Sequence, residues 1–212
     1  GATLVFAAGR GDSVRLYVRR LDSFGTRVLP GTEGGDSPFF STDGRWVAFF
    51  SRKARQLRKV ALAGGSSVVV AEDLAMNPYN GAWGPNDTIY FANWPDPQVS
   101  KVAAGGGVVS AVTRGSPPTG WFRYPDQVLP DGRHALVTVE GAGSYRVDVV
   151  SLETGEHRPL LEKAGGARLV AGRYLLYVPA GRPEVVAVRF DARSRTVSGD
   201  PVTVLDSVTT AP

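Results

Sequence analysis

The sequence predicts an all-β fold, a β-propeller of about five four-stranded antiparallel blades. Three observations lead there: a hairpin phrase that recurs at a fixed spacing, apolar runs of strand length bounded by turn residues, and no window with a convincing amphipathic helical period. The clearest copy of the phrase is SPFFSTDGRWVAFFS at 37–51, where two apolar runs flank a Ser-Thr-Asp-Gly-Arg turn. Looser copies follow at 81–93 (GAWGPNDTIYFAN), 125–139 (PDQVLPDGRHALVTV) and 167–178 (ARLVAGRYLLYV). Their turn residues Gly44, Asp87, Gly132 and Gly172 lie 43, 45 and 40 positions apart, the spacing of four-stranded propeller blades.

Within each period the phrase supplies the first and second strands. Third strands are read in VRLYVRRL (14–21), LRKVALAGG (57–65), VSKVAAGGG (99–107), YRVDVVSLETG (145–155) and EVVAVRFDA (184–192). Short fourth strands follow in TRVLPG, SVVVAE, VSAVTRG, HRPLLE and PVTVLD. Runs rich in Val, Leu, Phe and Tyr that end at Gly, Asp, Asn or Pro are strand signals with turn punctuation. Asp-Gly suits tight hairpins because their turns need positive φ, which Gly supplies at little cost. The densest helical window, RKARQLRKVALA at 52–63, puts charges where an apolar face belongs.

The start of the chain supplies only second, third and fourth strands: ATLVFAA, VRLYVRRL and TRVLPG. The tail DSVTTAP (206–212), joined end to end with the N-terminal GATLVFAA, aligns with DSPFFSTDGRWVAFF. The expectation is therefore a single propeller domain over 1–212, its ring closed by strands from both termini in one blade and monomeric if so closed. A piece of a larger propeller is the alternative left open. Closure matters because an open sheet edge invites unwanted pairing.

Composition limits the function classes. The chain has 212 residues, 42% of them hydrophobic, enough for a substantial core. It has no cysteine, which removes disulfides, thiol nucleophiles and thiolate metal sites together. Net charge is +4, a mild basic excess and weak support for a polyanionic partner. No apolar segment is long enough for a transmembrane helix. GATLVFAAGR has neither a basic leader nor an apolar run of signal-peptide length.

The phrase SPFFSTDGRWVAFF resembles the TolB-type, WD40-like propeller repeat, with Thr42 where that repeat usually has Pro. LPDGRH (129–134) and WGPND (83–87) are similar but looser. Over most of its length the chain also resembles the C-terminal propeller of bacterial transmembrane serine/threonine protein kinases. The segments that carry this are LYVRRLDSFGTRVLPGTEGGDSPFFSTDGRWVAFF, LRKVALAGGSSVVV, GAWGPNDTIYFA, VTRG and SLETGEHRPLLE. The resemblance implies an extracytoplasmic sensor or binding module of a membrane-anchored protein, with a protein, peptide or cell-envelope ligand and no cofactor. The alternative reading is a propeller enzyme, a polysaccharide lyase or hydrolase-associated propeller with acidic residues and arginines around its channel.

Catalytic motifs are missing. The sequence has no kinase Gly-rich loop, H-R-D or D-F-G, and no G-x-S-x-G. His134 and His157 fall in different strand positions, and nothing brings them into a triad. Asp36, Asp43, Asp87 and Asp131 are read as turn caps rather than cation ligands. The RGD at 10–12 is read as a hairpin turn. The basic run RKARQLRK (52–59) is read as a solvated face, because nucleic-acid binding by stacking needs interleaved aromatics that it lacks. Aromatics cluster in the second half of the chain. NWPDP (93–97) reads as a hairpin tip and SPPTGWFRYPD (116–126) as a connection into an inner strand. Trp94, Trp121, Arg123 and Tyr124 are accordingly the candidate partner-binding residues, and Trp83 is expected in the core.

Overall fold

The computed structural model describes residues 2–10, 13–75, 77–113 and 121–208, apart from the side chains of 77–79 and of Trp94. The chain is all-β and divides into two compact units, Gly1–Asp96 with Ser100–Ala111, and Pro97–Val99 with Val112–Pro212. Five antiparallel sheets follow one another along the sequence, each strand pairing with the next.

The first unit holds three sheets. Blade 1 is β1 (Thr3–Ala8), β2 (Arg15–Arg20) and β3 (Thr26–Val28). Blade 2 is β4 (Gly35–Phe40), β5 (Trp46–Ser51), β6 (Gln56–Ala61) and β7 (Val68–Ala71). Blade 3 is β8 (Asn77–Trp83), β9 (Thr88–Trp94), β10 (Val99–Ala103) and β11 (Ser110–Ala111). The run WVAFF does not alternate apolar and polar because both faces of β5 are covered. Val47 and Phe49 pack with Leu16, Val18 and Leu29 toward blade 1. Ala48 and Phe50 pack with Trp83, Ile89 and Phe91 of blade 3. Phe39 and Trp46 join that second cluster, so the opening phrase holds blades together, and Trp83, 6% exposed, is core as expected.

The second unit holds two sheets. Blade 4 is β12 (Phe122–Val128), β13 (His134–Gly141), β14 (Ser144–Ser151) and β15 (His157–Glu162). Blade 5 is β16 (Ala164–Val170), β17 (Tyr174–Pro179), β18 (Val185–Asp191) and β19 (Thr196–Leu205). Leu136, Val147 and Val149 of blade 4 meet Ala167, Leu175 and Val186 of blade 5 in one apolar cluster. β19 is long, contains Pro201 and pairs with β18 through two register shifts. It carries the exposed side chains Val202, Val204 and Leu205.

Two regularities position the candidate site. Each innermost strand of blades 2 to 5 contains a bulge, at Asp36/Phe39, Tyr79/Gly81, Pro125/Gln127 and Gly165/Arg168. In blades 1, 2 and 5 the chain leaving the outermost strand is held to the hairpin that leads into the next-to-outermost strand. Gly34 N–H donates to Val14 O (2.8 Å), Leu74 N–H to Arg55 O (3.0 Å) and Val208 N–H to Pro183 O (2.7 Å). No described strand pairs with β1 on the side away from β2. The strand expected there, DSVTTAP, is not in the described ladders: Asp206–Val208 lie outside any strand, and 209–212 lie outside the described residues.

Candidate functional site

Most charged candidates are accounted for locally. Asp43 accepts hydrogen bonds from the Ser41 hydroxyl (2.6 Å) and Arg45 N–H (3.0 Å), and the hydroxyl bond is the chief cause holding its carboxyl well below the usual range. Asp131 accepts from Arg133 N–H and His134 N–H and lies 2.7 Å from His134 Nδ1. Asp87 accepts from Trp83 Nε1–H (2.8 Å), and Asp36 pairs with Arg52 (2.5 Å). These are turn and strand-end contacts, and among the described residues no group of three or more His, Cys, Asp or Glu could hold a metal ion. In the basic run, Arg55 donates to Leu74 O and Arg58 to Ser67 and Gln56, while Lys59 lies 4.9 Å over the Trp46 ring. Gly11 and Asp12 of the RGD lie outside the described residues.

Blade 4 is different. Arg123, Val139 and Arg146 are in register across β12, β13 and β14, so their side chains share one face of the sheet. Trp121, two positions before Arg123, lies on that face. Its ring sits against Gly141, where an added Cβ would overlap the indole, so only glycine admits the ring. The Arg146 guanidinium lies 5.6 Å from the Trp121 ring centroid, within cation–π range. Arg146 also grips Asp148 through Nε (2.8 Å) and Nη2 (3.2 Å), and this bond raises its pKa above the ordinary arginine value.

Asp148 is fully buried. His157, at the start of β15, places Nδ1 3.0 Å from Asp148 Oδ2 and Nε2 3.3 Å from Arg123 Nη2. Arginine can only donate, so Nε2 must accept and the proton must sit on Nδ1, donating to Asp148. Arg123 itself is 4% exposed, and its Nε and Nη1 have no hydrogen-bond partner among the described residues. Burial lowers its pKa; Asp148 works against that shift and Arg146 adds to it.

The structure therefore puts Trp121 and Arg123 on one face of blade 4 and Tyr124 on the other. The expected connection over 116–126 is already strand from Phe122, and Arg123 is buried rather than displayed on a loop; residues 116–120 lie outside the described residues. Tyr124 pairs with Thr138 on the opposite face of the sheet from Arg123. Trp94 ends β9, with its side chain outside the described residues. Arg146, Asp148 and His157 are additions to the expected set. A signal for two of them was present: in YRVDVVS, alternation sets Arg146 and Asp148 on one face and Val147 and Val149 on the other.

No family model and no curated protein sequence matches the chain. Solved structures do. TolB from Acinetobacter baumannii matches with a TM-score of 0.73 at 16% identity, covering 98% of this chain and 53% of that one. The fold is that of a TolB-type β-propeller. This chain spans about half the length of that TolB structure. A nidogen/laminin complex matches with a TM-score of 0.66 at 12% identity over 89% of this chain and 71% of that one. Oligogalacturonate lyase in complex with manganese matches with a TM-score of 0.52 at 13% identity over 93% and 73%. The TolB-type fold thus has both binding proteins and an enzyme among its structural neighbours, and the side chains must decide between these roles.

Proposed function

We propose that this TolB-type propeller is a non-catalytic binding module whose partner, a protein, peptide or cell-envelope fragment, docks on blade 4 at Trp121 and Arg123. The observation that carries this reading is the buried Arg123, two of whose nitrogens have no partner among the described residues, on the same sheet face as the Trp121 ring. The cluster is built to hold rather than to react. Both nitrogens of His157 are engaged, and Asp148 accepts from Arg146 twice and from His157 once, leaving no free base of the kind lyase or hydrolase chemistry needs. The similarity of the sequence to kinase-linked propellers supports an extracytoplasmic sensor role, and the nidogen/laminin complex supports a protein partner.

The test is binding of the purified chain to defined arrays of peptides and cell-envelope fragments. Trp121→Ala is expected to weaken the captured ligand about tenfold or more, as loss of an aromatic anchor does. Tyr124→Ala, on the other face, is expected to leave binding unchanged. Capture by Trp121→Ala equal to that of the parent chain overturns the assignment.

A further inference from the structure

We propose that Arg123 is the receptor for a single carboxylate group of the ligand. This rests on the binding role proposed above and names the chemistry recognised there. Of the two arginines on this face, Arg146 has the bidentate Asp148 carboxylate and the in-register Glu162 beside it, whereas Arg123 feels Asp148 only at a distance and makes no ion pair among the described residues. A buried guanidinium whose N–H groups lack acceptors is costly, and Nε and Nη1 of Arg123 have none among the described residues. One carboxylate supplies both acceptors and the missing charge. A dianion such as phosphate costs more to desolvate.

The cluster itself shows the matching partner, since Arg146 already holds the Asp148 carboxylate through two nitrogens, the fork geometry that guanidinium offers to carboxylates. Several arginines elsewhere are exposed or already engaged. Arg20 is paired with Asp22 and Arg45 with Asp43, and Arg27 donates to Leu62 O. Because Arg123 is only 4% exposed, what reaches it is a small terminal group. His157 fixes one side of the guanidinium through Nη2 and so presents Nε and Nη1 in a set orientation.

The experiment titrates the intact chain, at constant ionic strength in chloride, with acetate, N-acetylglycine, N-acetylglycinamide and inorganic phosphate. Binding is followed by the arginine Nε–H signals in nitrogen-15 spectra and by calorimetry. Acetate and N-acetylglycine are expected to shift one Nε–H resonance saturably, and the amide is expected to do nothing. Arg123→Gln should abolish the shift and weaken binding by about tenfold or more. The shift in the parent chain stands as evidence even where that variant does not fold. N-acetylglycine binding more tightly than acetate assigns the site to a peptide carboxyl terminus; equal binding assigns it to a free small carboxylate. Failure of both to shift any Nε–H signal, or tighter binding of phosphate than of acetate, overturns the proposal. Acetate binding at Arg123 that leaves array capture undisturbed keeps the carboxylate site and refutes the docking role alone.

Discussion

At the scale of single residues, Asp126 shows what burial does to an ionisable group in this fold. It is 3% exposed, sits at the β12 bulge and accepts the Thr138 hydroxyl at 2.6 Å. Thr138 Oγ1 in turn accepts Gly166 N–H from blade 5 at 2.9 Å. Burial outweighs these bonds and the nearby Arg168, pushing the carboxyl from 3.8 up to about 6. The native chain then holds this proton more tightly than the unfolded chain does. Its contribution to stability is largest below pH 4, falls as pH rises to about 6 and is flat above, a loss of about 3 kcal/mol at ~1.4 kcal/mol per unit. Asp126→Asn is expected to remove that decline. Denaturant titrations of both proteins from pH 4 to 8 check it, and a difference between them that does not change with pH refutes the assignment. Neither Asp126 nor Arg123 revealed its burial in the sequence. FRYPDQV reads as polar, and the contacts that meet its charged groups come from Thr138, Ala167 and His157, well beyond any local window.

At the scale of elements, the strand phrases were legible because turn chemistry and period agree at every copy. Asp43-Gly44 and Asp131-Gly132 are hairpin turns with Gly44 and Gly132 at φ of 68° and 65°. The inner strands were harder to read. A bulge shifts the alternation by one residue, so the side chains before and after Pro125 follow different phases, and 116–126 looks like a connection. The same device explains Gly81. It directly follows the β8 bulge, and the Phe39 ring of blade 2 occupies the space its Cβ would need. Gly81→Val is expected to cost about 1–3 kcal/mol through overpacking. Combined with Phe39→Leu, part of that cost should return, which a double-mutant cycle on thermal unfolding measures. Purely additive losses would place the strain in the backbone instead.

At the scale of the whole molecule, Val208 donates to Pro183 as Gly34 does to Val14 and Leu74 to Arg55. In the latter two cases the chain then enters the inner strand of the following blade. The same contact after β19 ties Val208 to the hairpin of its own blade, so the segment that follows Leu205 is expected to contribute to stability. A chain truncated after Leu205 should melt roughly 5 °C or more below the parent, given a few degrees per kcal/mol at this size. An unchanged melting temperature refutes that role. The period and the strand inventory made the TolB-type fold readable from the sequence alone. The proposed partner site was only half readable, because it depends on which polar side chains the sheets bring together.

The outermost strand β19 has a consequence for behaviour in concentrated solution. Ten residues of edge backbone beneath Val202, Val204 and Leu205 would ordinarily template fibrous self-association. Pro201 removes one donor from the row, and the two register shifts against β18 crease the ribbon. A second molecule meeting this rim finds greasy side chains but no continuous line of hydrogen bonds to copy. An edge so interrupted disfavours continuous strand pairing with a second molecule, even though it carries exposed apolar side chains.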